Sequence, residues 1–365
     1  MSPRLPALRR VGLVGLGALI AGALALAALW FTPAGRVAVA DVYWNVLLTL
    51  ALVDPAEDIG PHLWAVAVSP DGETIAVGGM IREVLLFDAG TGEPRPSPFS
   101  MEQWVMEVGW SPDGRWFAAS SFDGEVRVIE TRTGAEVARF RANEVSYTFA
   151  YHPTLPLFAW GAYDGSIRIV DLSTGVESAP IVSSAGGVLF LTFLPDGRWV
   201  ASTGEDGRVY FHDPLTRVEE RVLQAHAEGI TSISFSPDGK LMVTGGDDSY
   251  VRLWDVDSMT LLREHSPHPG WINFTTFLPG RGRWLSVGTD DAVHIWDVGG
   301  HGPSRALPGH PGGLMCVRPF PDGSRFVTSG KDGTLRIWDA DSLRVIRSID
   351  VWGSIDPGGW RWPML

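Results

Sequence analysis

The chain has 365 residues and a formal charge of −13, and its Lys and Arg gather only in a short N-terminal tip. Nucleic-acid backbones are held largely by clustered Lys and Arg, so this balance argues against a nucleic-acid partner. The one cysteine, Cys316, excludes an intrachain disulfide and reads as a small buried hydrophobe.

Residues 1–10 form the basic tip, with Arg4, Arg9 and Arg10. Residues 11–31 follow as an uncharged apolar run, long enough to cross a bilayer as a helix, with Trp30 and Phe31 where an interfacial belt would fall. After Arg36 no Lys or Arg appears until Arg82, an asymmetry that places the N-terminus in the cytoplasm and the rest outside it. The rival reading is a cleaved secretory signal with Ala38-Val-Ala40 as its site, although that site lies well beyond the apolar run. Residues 32–58 are read as a juxtamembrane segment. Within it Asp41, Asn45 and Thr49 fall at i, i+4 and i+8, the polar stripe of an amphipathic helix. The alternative is a second crossing at 37–53, with a cytoplasmic C-terminal domain; it would place Asp41 inside the bilayer at a cost.

From residue 59 to residue 350 one pattern recurs seven times. A turn of the Ser-Pro-Asp-Gly type has its third position at Asp71, Asp113, Thr154, Asp196, Asp238, Gly280 and Asp322, spaced 41 or 42 residues apart. Within the clearest unit, Ile230–Phe235 alternates as a strand and Ser236-Pro-Asp-Gly239 turns the chain. Leu241–Thr244, Tyr250–Trp254 and Met259–Arg263 supply three further strands. Such a unit cannot bury its own apolar face, and seven of them suit radial packing around a channel. The expected class is all-β: a seven-bladed β-propeller of four-stranded antiparallel blades, preceded by a transmembrane helix. Residues 351–365 make a Trp-rich tail with Trp352, Trp360 and Trp362.

Trp254-Asp255, Trp296-Asp297 and Trp338-Asp339 each end a third strand, with an Asp and a His at fixed offsets before them. In this the chain resembles the WD40-repeat β-propellers, over about four fifths of its length. The resemblance implies blade networks of His226/Thr244/Asp248/Trp254, His268/Ser286/Asp290/Trp296 and His310/Thr328/Asp332/Trp338. Buried indole, imidazole and carboxylate groups can satisfy one another, and removing one member is expected to cost roughly 1–3 kcal/mol. In the first four units the Trp position holds Phe87, Ile129, Val170 and His212, so apolar packing is expected to replace the network there. Asp206 and His212 would form a satisfied core pair. The family closes its ring with a strand lent from the far terminus; here Leu343–Ile349 already supplies a fourth strand to the last unit, and both modes of closure stay open.

No Walker-type loop, HExxH or GxSxG occurs, so no catalytic, cofactor-binding or metal residue is assigned. His265 and His268 stand three apart, but His268 already has a structural role. Asn273-Phe-Thr275 matches a glycosylation sequon on an inner strand, where a glycan hardly fits. Channel chemistry would need acids or histidines at matching inner-strand positions, and the alignment Val66, Val108, Phe149, Leu191, Ile233, Thr275, Val317 offers none. In WD40 relatives ligands meet the face made by the loop before the first strand and the turn between the second and third. The matching positions give His62, Met80, Trp104, Phe122 and Tyr163 in the first three units, with Trp271 across the channel, whereas units four and five present small or acidic residues. Exposed aromatic and Met side chains are the usual anchors of protein interfaces. The alternative is that these rings pack sideways between irregular blades. The expected function is a membrane-anchored, non-catalytic scaffold for a protein or peptide partner. The competing readings are a propeller enzyme or small-ligand sensor at the channel mouth, and a structural subunit of an envelope complex.

Overall fold

The turn that punctuates each repeat shows why the chain doubles back where it does. At Ser236–Gly239 the Ser236 hydroxyl donates to Asp238 Oδ1 at 2.6 Å and accepts the Leu241 N–H at 2.9 Å. Asp238 also accepts the Lys240 N–H, and Gly239 takes φ +70°, a left-handed conformation that a Cβ would strain. In the third repeat, where Thr154 breaks the motif, His152 Nδ1 accepts the N–H groups of Thr154 and Leu155 instead.

The structure, a computed structural model, describes residues 62–354 except 143–144, 183–185, 267 and 301. The basic tip, the apolar run 11–31, the whole juxtamembrane segment 32–58 with its possible second crossing, and the tail beyond Ser354 therefore lie outside the described residues. Among the described residues no helix is long and apolar enough to cross a membrane. The only helix described is one turn, α1 (Val351–Ser354), whose Val351 N–H reaches Gly333 O.

Seven antiparallel sheets occupy residues 65–95, 105–141, 148–182, 188–224, 230–265, 272–308 and 314–350, here blades 1 to 7. In each, strands a to d run in chain order from the channel outward. Blade 3 departs in one respect: its outer strand is split into Val176–Glu177 and Ile181–Val182, both paired with Ser166–Asp171. The inner strand of each blade packs on that of the next, and blade 7 packs on blade 1, so the ring is closed. Radial sheets of this kind leave only the outer strands as edges.

Among the described residues each sheet takes its strands from its own repeat, so blades 7 and 1 meet by contact and share no strand there. The seam between blades 7 and 1 is held by packing, in one apolar cluster joining Leu63, Val66 and Phe87 to Val317, Phe326 and Trp338. Hydrogen bonds cross it as well, from Arg318 Nε to Val66 O at 3.0 Å, from Ser329 Oγ to Leu63 O and from Arg347 Nη1 to Thr91 O at 2.6 Å. Phe87, Ile129 and Val170 are buried at the Trp position of the first three blades. Blade 4 differs from expectation. His212 is buried with its Nδ1 unpartnered among the described residues, because Tyr210 rather than His212 donates to Asp206, at 2.6 Å.

Candidate interaction face and the networks behind it

Blades 5 to 7 carry a hub hydroxyl between the imidazole and the indole. In blade 6 Trp296 Nε1 donates to Ser286 Oγ at 3.1 Å, His268 Nε2 lies 3.0 Å from the same oxygen, and Nδ1 lies 2.6 Å from Asp290 Oδ1. A carboxylate can only accept, so Nδ1 carries the proton and Nε2 accepts from Ser286. Thr244 takes the hub position in blade 5, 2.8 Å from His226 and 3.0 Å from Trp254 Nε1, with His226 2.8 Å from Asp248. In blade 7 Thr328 lies 2.8 Å from His310 and 2.9 Å from Trp338 Nε1, and His310 lies 2.9 Å from Asp332. Burial holds His226 and His268 below the ordinary imidazole value, so both rings are neutral near pH 7. For Asp248 burial alone would raise the carboxyl, but hydrogen bonds from His226 and Arg252 outweigh it and hold it well below the usual range. Asp290 is lowered against the same burial by His268 and His294.

His294 stands where Arg252 and Arg336 stand in the neighbouring blades and, like them, reaches the turn Asp, at 3.1 Å. His268, Asp290 and His294 thus bring three metal-type ligand atoms within 4.8 Å of one another. Those atoms are already hydrogen-bonded to one another, and the remaining nitrogens go to Ser286 and Ser304, so the cluster is accounted for as part of the blade network. His265 is not part of it; its ring stacks on Trp296 at 4.7 Å.

The same end of the ring is organised by one repeated backbone bond. The turn residue between strands b and c donates its N–H to the carbonyl of the loop before strand a: Met80 to His62, Phe122 to Trp104, Tyr163 to Val145 and Thr289 to Trp271, at 2.9–3.1 Å. Asp247 to Gly229 and Lys331 to Gly313 continue the pattern. His62, Met80, Trp104, Phe122, Tyr163 and Trp271 therefore sit at one end of the ring. Five are half-buried, whereas Trp271 is 61% exposed.

The half-buried rings pack on each other. Trp104 lies between Trp64 at 6.1 Å and Phe122 at 5.6 Å, and Tyr163 meets Tyr147 at 5.8 Å while its hydroxyl donates to Glu205. Blades 4 and 5 add Glu205, Glu228 and Asp247, and burial, then the neighbouring carboxylates, push the Asp247 carboxyl up. Trp64 and Tyr147 are additions to the residues picked from sequence. Both stand two residues after the aligned loop position, the next same-side residue of an extended chain, where a period-2 reading would have found them. From this register side chains rivet adjacent blades: Trp64 Nε1 donates to Val105 O, Asn273 Nδ2 to Leu314 O at the same 2.7 Å, and Thr231 Oγ1 to Ile272 O.

The aligned inner-strand residues are packed against neighbouring blades, as their largely apolar character requires, so they do not report on what lines the channel. Val66, Val108, Phe149, Leu191, Ile233, Thr275 and Val317 are buried between blades, while the residues beside them include polar groups. Glu107, Thr148 and Ser232 each accept a main-chain N–H of the next blade, from Phe149 at 2.8 Å, Leu191 at 3.0 Å and Thr275 at 2.9 Å. Glu107 also pairs with Arg318 at 3.2 Å, an ion pair that passes over blade 1 from blade 2 to blade 7. Four segments, 99–130, 180–213, 217–255 and 302–339, match the family model for the WD domain, G-beta repeat. They cover strands a to c of blades 2, 4, 5 and 7, and the last three also take in outer-strand residues of the blade before. No curated protein matches the chain.

Proposed function

We propose that this seven-bladed propeller with its WD40 repeats is a non-catalytic platform that captures a protein or peptide partner on the face around Trp271, and that residues 11–31 tether it to a membrane. The observation that carries the reading is Trp271, a large apolar ring 61% exposed on the end of the ring where loops and turns are pinned to one another. An exposed indole on a rigid frame gains contact area at little ordering cost, which is what an interface anchor needs. The half-buried aromatics of blades 1 to 3 stand at the same end of the ring. They are poor probes, because Trp104 and Tyr163 are packed against Trp64, Tyr147 and Glu205, so replacing both would loosen the face as well as change it.

Trp271→Ala is the cleaner variant. Crosslinking in cells followed by capture of the full chain should lose its specific partner in this variant, with a melting temperature unchanged from the parent. Retention of the same partner at the same yield would remove the face from consideration. Tethering has its own readout. With 11–31 as a single anchor and the tip in the cytoplasm, protease added to spheroplasts digests the propeller; protection would favour a second crossing at 37–53.

A further inference from the structure

At the end of blade 6 opposite Trp271, a cleft of about 230 Å³ opens between the outer strands of blades 5 and 6. Its wall holds three guanidinium groups, from Arg263, Arg283 and Arg305, with His265, Trp284 and Trp296. We infer that this cleft is a binding site for a phosphate group.

Charge comes first. The three arginines face one carboxylate, Asp297, in a protein whose overall charge is −13, so the cleft is locally cationic against the trend of the chain. Asp297 does not quench all three. It pairs through its side chain with Arg283 Nε at 3.2 Å, while Arg263 Nη1 is held by the Asp297 carbonyl at 3.0 Å. Arg283 Nη1 also donates to Ala340 O at 3.3 Å. These contacts fix the two arginines and still leave donors of each guanidinium unused. The Arg305 side chain has no hydrogen-bond or ion-pair partner among the described residues, although its backbone is fixed in the outer strand opposite Ile295.

The wall chemistry agrees. Trp284 lies flat on Trp296 at 4.8 Å and 8°, and its Nε1–H is buried with no acceptor among the described residues. An unmatched donor dipole in the wall favours negative charge nearby. His265 stacks on the other ring, at 4.7 Å from Trp296, which keeps this side of the cleft rigid. Forked guanidinium donors around a small opening match the oxygens of a phosphate, which take paired charge-assisted hydrogen bonds. The cleft volume suits a phosphate monoester head rather than a nucleotide, whose base would need a far larger pocket. The phosphate can belong to a soluble ester or to a lipid headgroup, and the recognition chemistry is the same.

The test uses the full chain in detergent micelles, titrated with inorganic phosphate and pyrophosphate under calorimetry and tryptophan fluorescence. A second arm uses vesicles of phosphatidylcholine with and without phosphatidic acid. Saturable binding in either arm that weakens about tenfold or more in Arg305→Ala supports the site, and Arg305→Lys, which keeps the charge without the fork, should recover only part of the loss. Binding to free phosphate assigns a soluble source; binding confined to phosphatidic acid vesicles assigns a lipid. Arg305 is exposed and makes no side-chain contact that folding depends on, so the variant should melt with the parent. Absence of saturation in both arms, or binding indifferent to Arg305→Ala, overturns the inference.

Discussion

Glu107 is the residue whose environment contradicts its type most strongly. Burial pushes its carboxyl up to about 7, against the opposing pull of Arg318 and the N–H of Phe149. A folded-state value above the ordinary carboxyl value means that its contribution to stability is full below about pH 4.5 and is lost as pH rises through about 7. His212, His226 and His268 act in the other sense: their lowered values favour the fold above about pH 6.5 and weaken it as pH falls. Comparing the protein with Glu107→Gln cancels the histidines. Relative to the variant, the parent should lose about 3 kcal/mol of unfolding free energy between pH 4.5 and pH 8, measured by urea denaturation. A flat difference across that range would show that Arg318 keeps Glu107 ionised throughout. The sequence could not single out Glu107, because an alternating strand shows its period and not which face looks inward. The same limit explains His212, whose expected partner Asp206 is taken by a tyrosine two positions before it.

At the level of strands, the sequence was most legible where the unit is self-contained. Turn glycines, strand lengths and the His/hydroxyl/Asp/Trp offsets all lie within one repeat of about 42 residues, so spacing alone could place them. The joints between repeats were not legible, because they pair residues some 41 to 43 positions apart by side chain to backbone bonds that no local pattern announces. Ser232 is the sharpest case, since its hydroxyl receives the buried Thr275 N–H of the next blade at 2.9 Å. Ser232→Ala leaves that donor without an acceptor and should cost about 1–3 kcal/mol. Amide exchange along Ile272–Leu278 should accelerate more than along the inner strand of any other blade. Uniform acceleration around the ring would mean that the blades open together.

At the scale of the ring, packing and a few hydrogen bonds join blade 7 to blade 1, with no shared strand among the described residues. The two ends of the ring are neighbours there: Leu63 O accepts from Ser329 while Val351 N–H reaches Gly333 O, on adjoining parts of one blade. Every folded unit thus finishes before the next begins, and the order of synthesis has no privileged starting point. A circular permutant opened between blades 4 and 5, with a short linker from blade 7 back to blade 1, should refold with the parent's circular dichroism spectrum. It should melt within a few degrees of the parent, by about the entropy of one added loop.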